Sequence, residues 1–143
     1  MAHPVHPALV HFPIACWSLA TTGDVAGLAF GDQRIWFVSN VLLVCGLVTA
    51  LAAMTAGLFE LRKILDDSPA MRVAYWHMSL VLSAWAVYAL SLYMRWNGAA
   101  LIQPDGVAIG LSALGFLLLA AAGWVGGTLV YGYGIGVERN TPE

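Results

Sequence analysis

The chain has 143 residues, 60% of them hydrophobic and only 10% charged. Its mean hydropathy is +0.78, and its charged content falls far below the roughly 25% of a soluble domain. This composition excludes an ordinary water-soluble enzyme and predicts a bilayer protein, while a formal charge of −2 offers no basic surface for nucleic acid.

Four apolar runs reach the ~20 residues that a hydrocarbon core of ~30 Å requires. They run from about Ala8 to Phe30, Ile35 to Phe59, Val73 to Met94 and Val107 to Tyr131, and predict helices over about 8–30, 35–59, 69–95 and 106–131. Short connections predict an all-α, four-helix antiparallel transmembrane bundle forming one domain.

The first run opens with HPVHPALVHFP, which holds three of the four histidines. No Lys or Arg precedes it and it is too long for a signal-peptide core, so it is expected to stay as a helix. Ala2 stands where myristoylation needs Gly. Pro7 suits the first helical position, which leaves His6 off the helix and puts His11 a turn inside. At a period of 3.6 the small or polar stripe of this helix is His11, Ala15, Ser18 and Thr22. His3 belongs to a solvated end.

On the second helix the stripe is Gly46, Ala50, Ala53, Gly57 and, slightly rotated, Glu60; Arg62 and Lys63 follow. Cys16 and Cys45 lie in the first two runs at unmatched depths and read as small buried side chains, not a disulfide. Ser68 before Pro69 reads as a helix cap with proline at the next position. The third helix carries His77, Ala84, Tyr88, Ser91 and Arg95, and the fourth carries Ala108, Ser112, Gly115, Ala122 and Gly126. Such stripes let helix backbones approach closely, or leave room for a flat cofactor. The closing segment GWVGGTLVYGYGIGV alternates Gly132, Gly134 and Gly136 with Tyr133 and Ile135, so the helix should break near Gly132 and fold over the histidine side. No internal repeat stands out, which argues against a transporter.

Arg62, Lys63, Arg72 and Arg139 collect on the side of the termini and Arg34 and Arg95 on the other, favouring cytoplasmic termini. Antiparallel helices bring His3, His6, His11 and His77 to one face. Ionisable residues inside a span usually mark a site. One route is a b-type haem with His11 and His77 as axial ligands, Arg62, Lys63 and Arg72 pairing its propionates, and one-electron transfer as its chemistry. The absence of C-x-x-C-H makes any haem non-covalent. A second route is a zinc, copper or iron ion bound by His6, His11 and His77, with Glu60 or His3 as a fourth ligand. A third is a cofactor-free scaffold or proton relay. The expected partners are lipid and a redox protein or quinone, with self-association through the small-residue faces. An electron carrier is expected more than an enzyme with its own substrate.

Together, HPALVHFPIA, AGLFEL, YWHMSL and GWVGGTLVYGYGIGV resemble the bacterial membrane family catalogued as domain of unknown function 2231, over nearly the whole chain. The resemblance implies four transmembrane helices, two entrance histidines matching His6 and His11, an acidic residue matching Glu60 and a histidine matching His77. Fusion of relatives to Rieske or cytochrome c domains implies respiratory electron transfer. The sequence departs from the family pattern at Thr128, where an acidic residue is common, and at Tyr133, where a histidine is common; a metal site that used those positions would be depleted here.

Overall fold

A computed structural model describes residues 5–137. Those residues are helical apart from connections and one isolated β-bridge, Trp96 to Leu101. The helices are α1 (Val5–Leu9), α2 (His11–Phe30), α3 (Gln33–Leu61), α4 (Pro69–Met94) and α5 (Gly106–Gly127), continued by a π-helical turn, Thr128–Gly132. Three are long and apolar enough to cross a membrane: Gln33–Leu61, Pro69–Met94 and Gly106–Gly132. α2 is not among them and carries Asp24, Ser18, Thr21 and Thr22.

Local chemistry sets the helix starts. Asp32 accepts from the Arg34 amide at 2.8 Å, Ser68 from Met71 at 3.1 Å, and Asp105 from Ala108 at 2.8 Å; each satisfies an amide that the helix leaves orphaned. α2 has no such cap, because α1 feeds straight into it through Val10, whose amide bonds the His6 carbonyl at 3.1 Å.

α2 packs along α3 and α4 along α5, so the chain forms two hairpins that meet edge to edge. α2 and α4 stand across the diagonal, where only side chains join them. Trp17 stacks on Tyr88, ring centroids 4.8 Å apart at 15°, and both rings are almost fully buried. The small residues of α3 and α5 make that possible. A methyl group on Gly46 would lie 2.5 Å from the Trp17 indole, and one on Gly115 would lie 2.9 Å from the Tyr88 ring.

These contacts expose an internal repeat, which corrects the expectation that the chain has none. Trp17 and Tyr88 are 71 positions apart, as are Asp24 and Arg95. At the same offset His6, Leu9, Val10, Ala15, Leu19 and Gly27 recur identically as His77, Leu80, Val81, Ala86, Leu90 and Gly98. At an offset two residues shorter, Val38, Leu42, Gly46, Ala53 and Gly57 recur as Val107, Leu111, Gly115, Ala122 and Gly126. The hairpins are two copies of one design related by a two-fold relation, with α2 matching α4 and α3 matching α5.

Overpacking against a buried ring costs about 1–3 kcal/mol, so Gly46→Ala should lower the thermal unfolding midpoint in detergent. Gly110→Ala, where an added methyl group meets nothing within 4 Å, should leave it unchanged or slightly raised.

Candidate functional site

Near the α1 end of the bundle the hairpins enclose a cavity of about 290 Å³. Its body is apolar, including Pro13, Ile14, Val81, Leu119 and Val130, and its polar lining comes from His6, His77 and Glu60. The two imidazoles face each other across the diagonal with ring centroids 6.4 Å apart and planes at 81°.

Each ring is held in the same way by its own hairpin. His6 Nδ1 bonds the Ala53 carbonyl at 2.8 Å, and His77 Nδ1 bonds the Ala122 carbonyl at 2.9 Å. A carbonyl oxygen only accepts, so both Nδ1 atoms carry a proton, which in the neutral form of an imidazole leaves the lone pair on Nε2. Gly57 and Gly126 provide the space: an added methyl group would come within 3.1 Å of the His6 ring and 2.9 Å of the His77 ring. The His6 amide donates to Glu60 Oε1 at 3.4 Å. The site therefore offers acceptors at its polar end, which suits a cation, a metal centre or a ligand rich in donors.

The structure differs from the sequence reading at the first helix. His6, Val10, Pro13, Trp17, Ala20, Asp24 and Gly27 recur at alternating spacings of four and three, and this stripe turns inward. His11 stands ~140° from His6 around the helix; it is exposed and reaches only the Ala8 carbonyl at 3.3 Å. The stripe His11, Ala15, Ser18 and Thr22 consequently faces outward or lies part-buried. His6, not His11, is the partner of His77. Pro7 is inside α1 and does not start a helix, which is why His6 is held on a helical turn.

Among the described residues no group of three His, Cys, Asp or Glu side chains is gathered closely enough to hold a metal ion. Arg62, Lys63 and Arg72 are exposed and do not line the cavity; the Arg62 guanidinium sits 5.4 Å from the Phe59 ring centroid. Cys16 and Cys45 are free thiols. His3 and Arg139 lie outside the described residues. The glycine-rich end behaves as its spacing predicts: after the π turn, Gly134 and Gly136 take positive φ of 68° and 79°, and Leu129, Val130 and Ile135 close over the histidines.

Toward the other end of the bundle lies a network that the sequence reading missed. Asp24 and Arg95 are fully buried and pair bidentately, Nη1 to Oδ1 at 2.8 Å and Nη2 to Oδ2 at 2.5 Å. Ser39 donates to Asp24, and Arg95 also donates to Asn40, Ser91 and Ser112 at 3.0, 3.1 and 2.9 Å. The spacing His6–Trp17–Asp24, repeated as His77–Tyr88–Arg95, was the signal available to find it.

The ring assignments have a direct readout. With ¹⁵N-labelled histidine, His6 and His77 should each show a protonated Nδ1 and an unprotonated Nε2; the opposite tautomer in either ring would overturn the arrangement.

No curated protein and no solved structure matches the chain. A family model described as "Predicted membrane protein (DUF2231)" matches residues 2–139. Across that span, which takes in both hairpins and the cavity between them, the chain belongs to the DUF2231 predicted membrane protein family.

Proposed function

We propose that the protein is a four-span carrier of the bacterial cytoplasmic membrane in which His6 and His77 would hold a b-type haem between the hairpins, the haem supplying single-electron transfer. The observation that carries this reading is the imidazole pair itself. Each hairpin contributes one ring, and a backbone carbonyl on the neighbouring helix fixes each Nδ1, the outer contact that orients ligating histidines.

The separation of the rings fits. The centroids are 6.4 Å apart, a separation that would let one metal centre be shared by two imidazole nitrogens at about 2.0–2.1 Å each. The cavity of about 290 Å³ stands at the lower bound of the ~300–1,000 Å³ usual for cofactor sites. When bound, the haem would supply a one-electron couple. His6 and His77 would hold it, the apolar walls would exclude water, and Arg62, Lys63 and Arg72 would offer cations near the same face for propionates or for a redox partner or quinone.

Orientation follows from the charges. Arg95 is neutralised inside the protein by Asp24 and drops out of the count, which leaves Arg34 as the far-side cation against Arg62, Lys63 and Arg72. The positive-inside rule then favours the histidine face and the termini in the cytoplasm. A second reading is a transition-metal ion shared by His6 and His77, which rests on the same imidazole pair; Glu60 lines the cavity but is not gathered with the two rings into a three-ligand group, and His11 lies on the other side of the helix from it.

The purified protein should be red, with a Soret band that shifts on dithionite reduction and about one haem per chain. His6→Ala or His77→Ala should remove most of the band, while His3→Ala and His11→Ala should retain it. A colourless protein with stoichiometric zinc, copper or iron would replace the haem reading with the ion site. Neither colour nor metal would leave a cofactor-free scaffold.

A further inference from the structure

Three side-chain pairs run down the diagonal between the hairpins, each joining equivalent positions of the repeat. Two are pairs of like with like: imidazole with imidazole, and aromatic ring with aromatic ring. The third is a carboxylate with a guanidinium, Asp24 with Arg95, both without solvent exposure. Two identical hairpins would place the same residue twice at that point. Two aspartates or two arginines would then repel in a dry interior, and each would be a buried charge without a counter-charge.

The surrounding hydrogen bonds have diverged in the same sense. In the first hairpin the single hydroxyl proton of Ser39 of α3 is shared between the Ala20 carbonyl of α2, at 2.8 Å, and the Asp24 carboxylate; in the second, Ser91 of α4 donates to the Ala108 carbonyl of α5 at 2.7 Å. Ser91 is the equivalent of Ala20, and Ala108 of Ser39, so the same bond survives with its donor moved to the other helix. The hydroxyl of Ser39 thereby serves the Asp24 carboxylate, and those of Ser91 and Ser112 serve Arg95.

We infer that the Asp24–Arg95 pair makes the association of the hairpins heterotypic: each presents a surface that fits the other hairpin, in its own chain or in a second copy of this chain, and rejects its own kind. The packed glycines and rings would accept either hairpin on either side, and the charge pair supplies the repulsive element that specificity needs. Exchange of hairpins between two chains uses the same surfaces as the monomer.

The test uses the full-length chain carrying Asp24→Arg, Arg95→Asp, or both, with two distinguishable tags. Each single variant puts like charges on the diagonal and should cut the yield of folded, detergent-extracted monomer by about tenfold or more. The double variant restores opposite charges and should recover most of that yield. Co-expressed Asp24→Arg and Arg95→Asp chains should co-purify as a one-to-one dimer. In that dimer the arginine introduced into the first hairpin of one chain meets the aspartate introduced into the second hairpin of the other, while the remaining pair is native. The inference is overturned if the single variants accumulate as wild type does, or if neither the double variant nor co-expression improves on the single variants. None of these readouts depends on haem or metal.

Discussion

Two charges without access to water fix the organisation of this protein. Taking a carboxylate and a guanidinium out of solvent is tolerable only when they pair closely and their remaining donors and acceptors are satisfied. Asp24 and Arg95 meet most of that condition by drawing on every long helix: Asp24 from α2, Ser39 and Asn40 from α3, Ser91 from α4 with Arg95 at its end, and Ser112 from α5; both Nη atoms are bonded, and the Arg95 Nε has no partner among the described residues. Once those partners are in place, the hairpins have one relative setting toward that end of the bundle, and the Trp17–Tyr88 stack continues it inward.

The same constraint explains where space is left. On the diagonal no backbone approaches backbone, so closure depends on what the facing side chains can span. A salt bridge and a ring stack span it at the far end and at mid-depth. Near the α1 end two imidazoles are each drawn back against their own hairpin, by the Ala53 and Ala122 carbonyls and by glycines that admit the ring. The gap that remains is the cavity, and its polar groups are those that the hairpins could not bring into direct contact.

Much of this was legible in the sequence. The inward faces of α3, α4 and α5 follow from Gly46, Ala53, Gly57, Ala84, Tyr88, Ala108, Gly115 and Ala122 at helical spacing, and Ser68–Pro69 marks the start of α4 as capping chemistry says it should. The inward face of α2 did not follow, because the same rule was applied to every helix. Small residues on α3 and α5 need large ones opposite, so the core face of α2 is the one bearing Pro13, Trp17 and Asp24, in line with His6 of α1, and the small or polar stripe of Ala15, Ser18 and Thr22 turns away or lies part-buried. The repeat escaped for a related reason. Its clearest pairs are not identities but complements, Trp17 with Tyr88 and Asp24 with Arg95, and a search for sameness passes over positions that diverged to fit each other.

The segment between α4 and α5 adds a last element. It folds back over the end of the bundle, with the Ile102 amide on the Arg95 carbonyl at 2.8 Å, the Ile102 carbonyl taking the Asn40 side chain at 3.1 Å, and Pro104 buried. Counter-ions screen charges they can approach, over about 8 Å at physiological ionic strength, and this segment keeps them out. The attraction between the two buried charges is therefore screened far less than that of a surface ion pair, and a rise in ionic strength that dissolves surface pairs leaves this one largely in place.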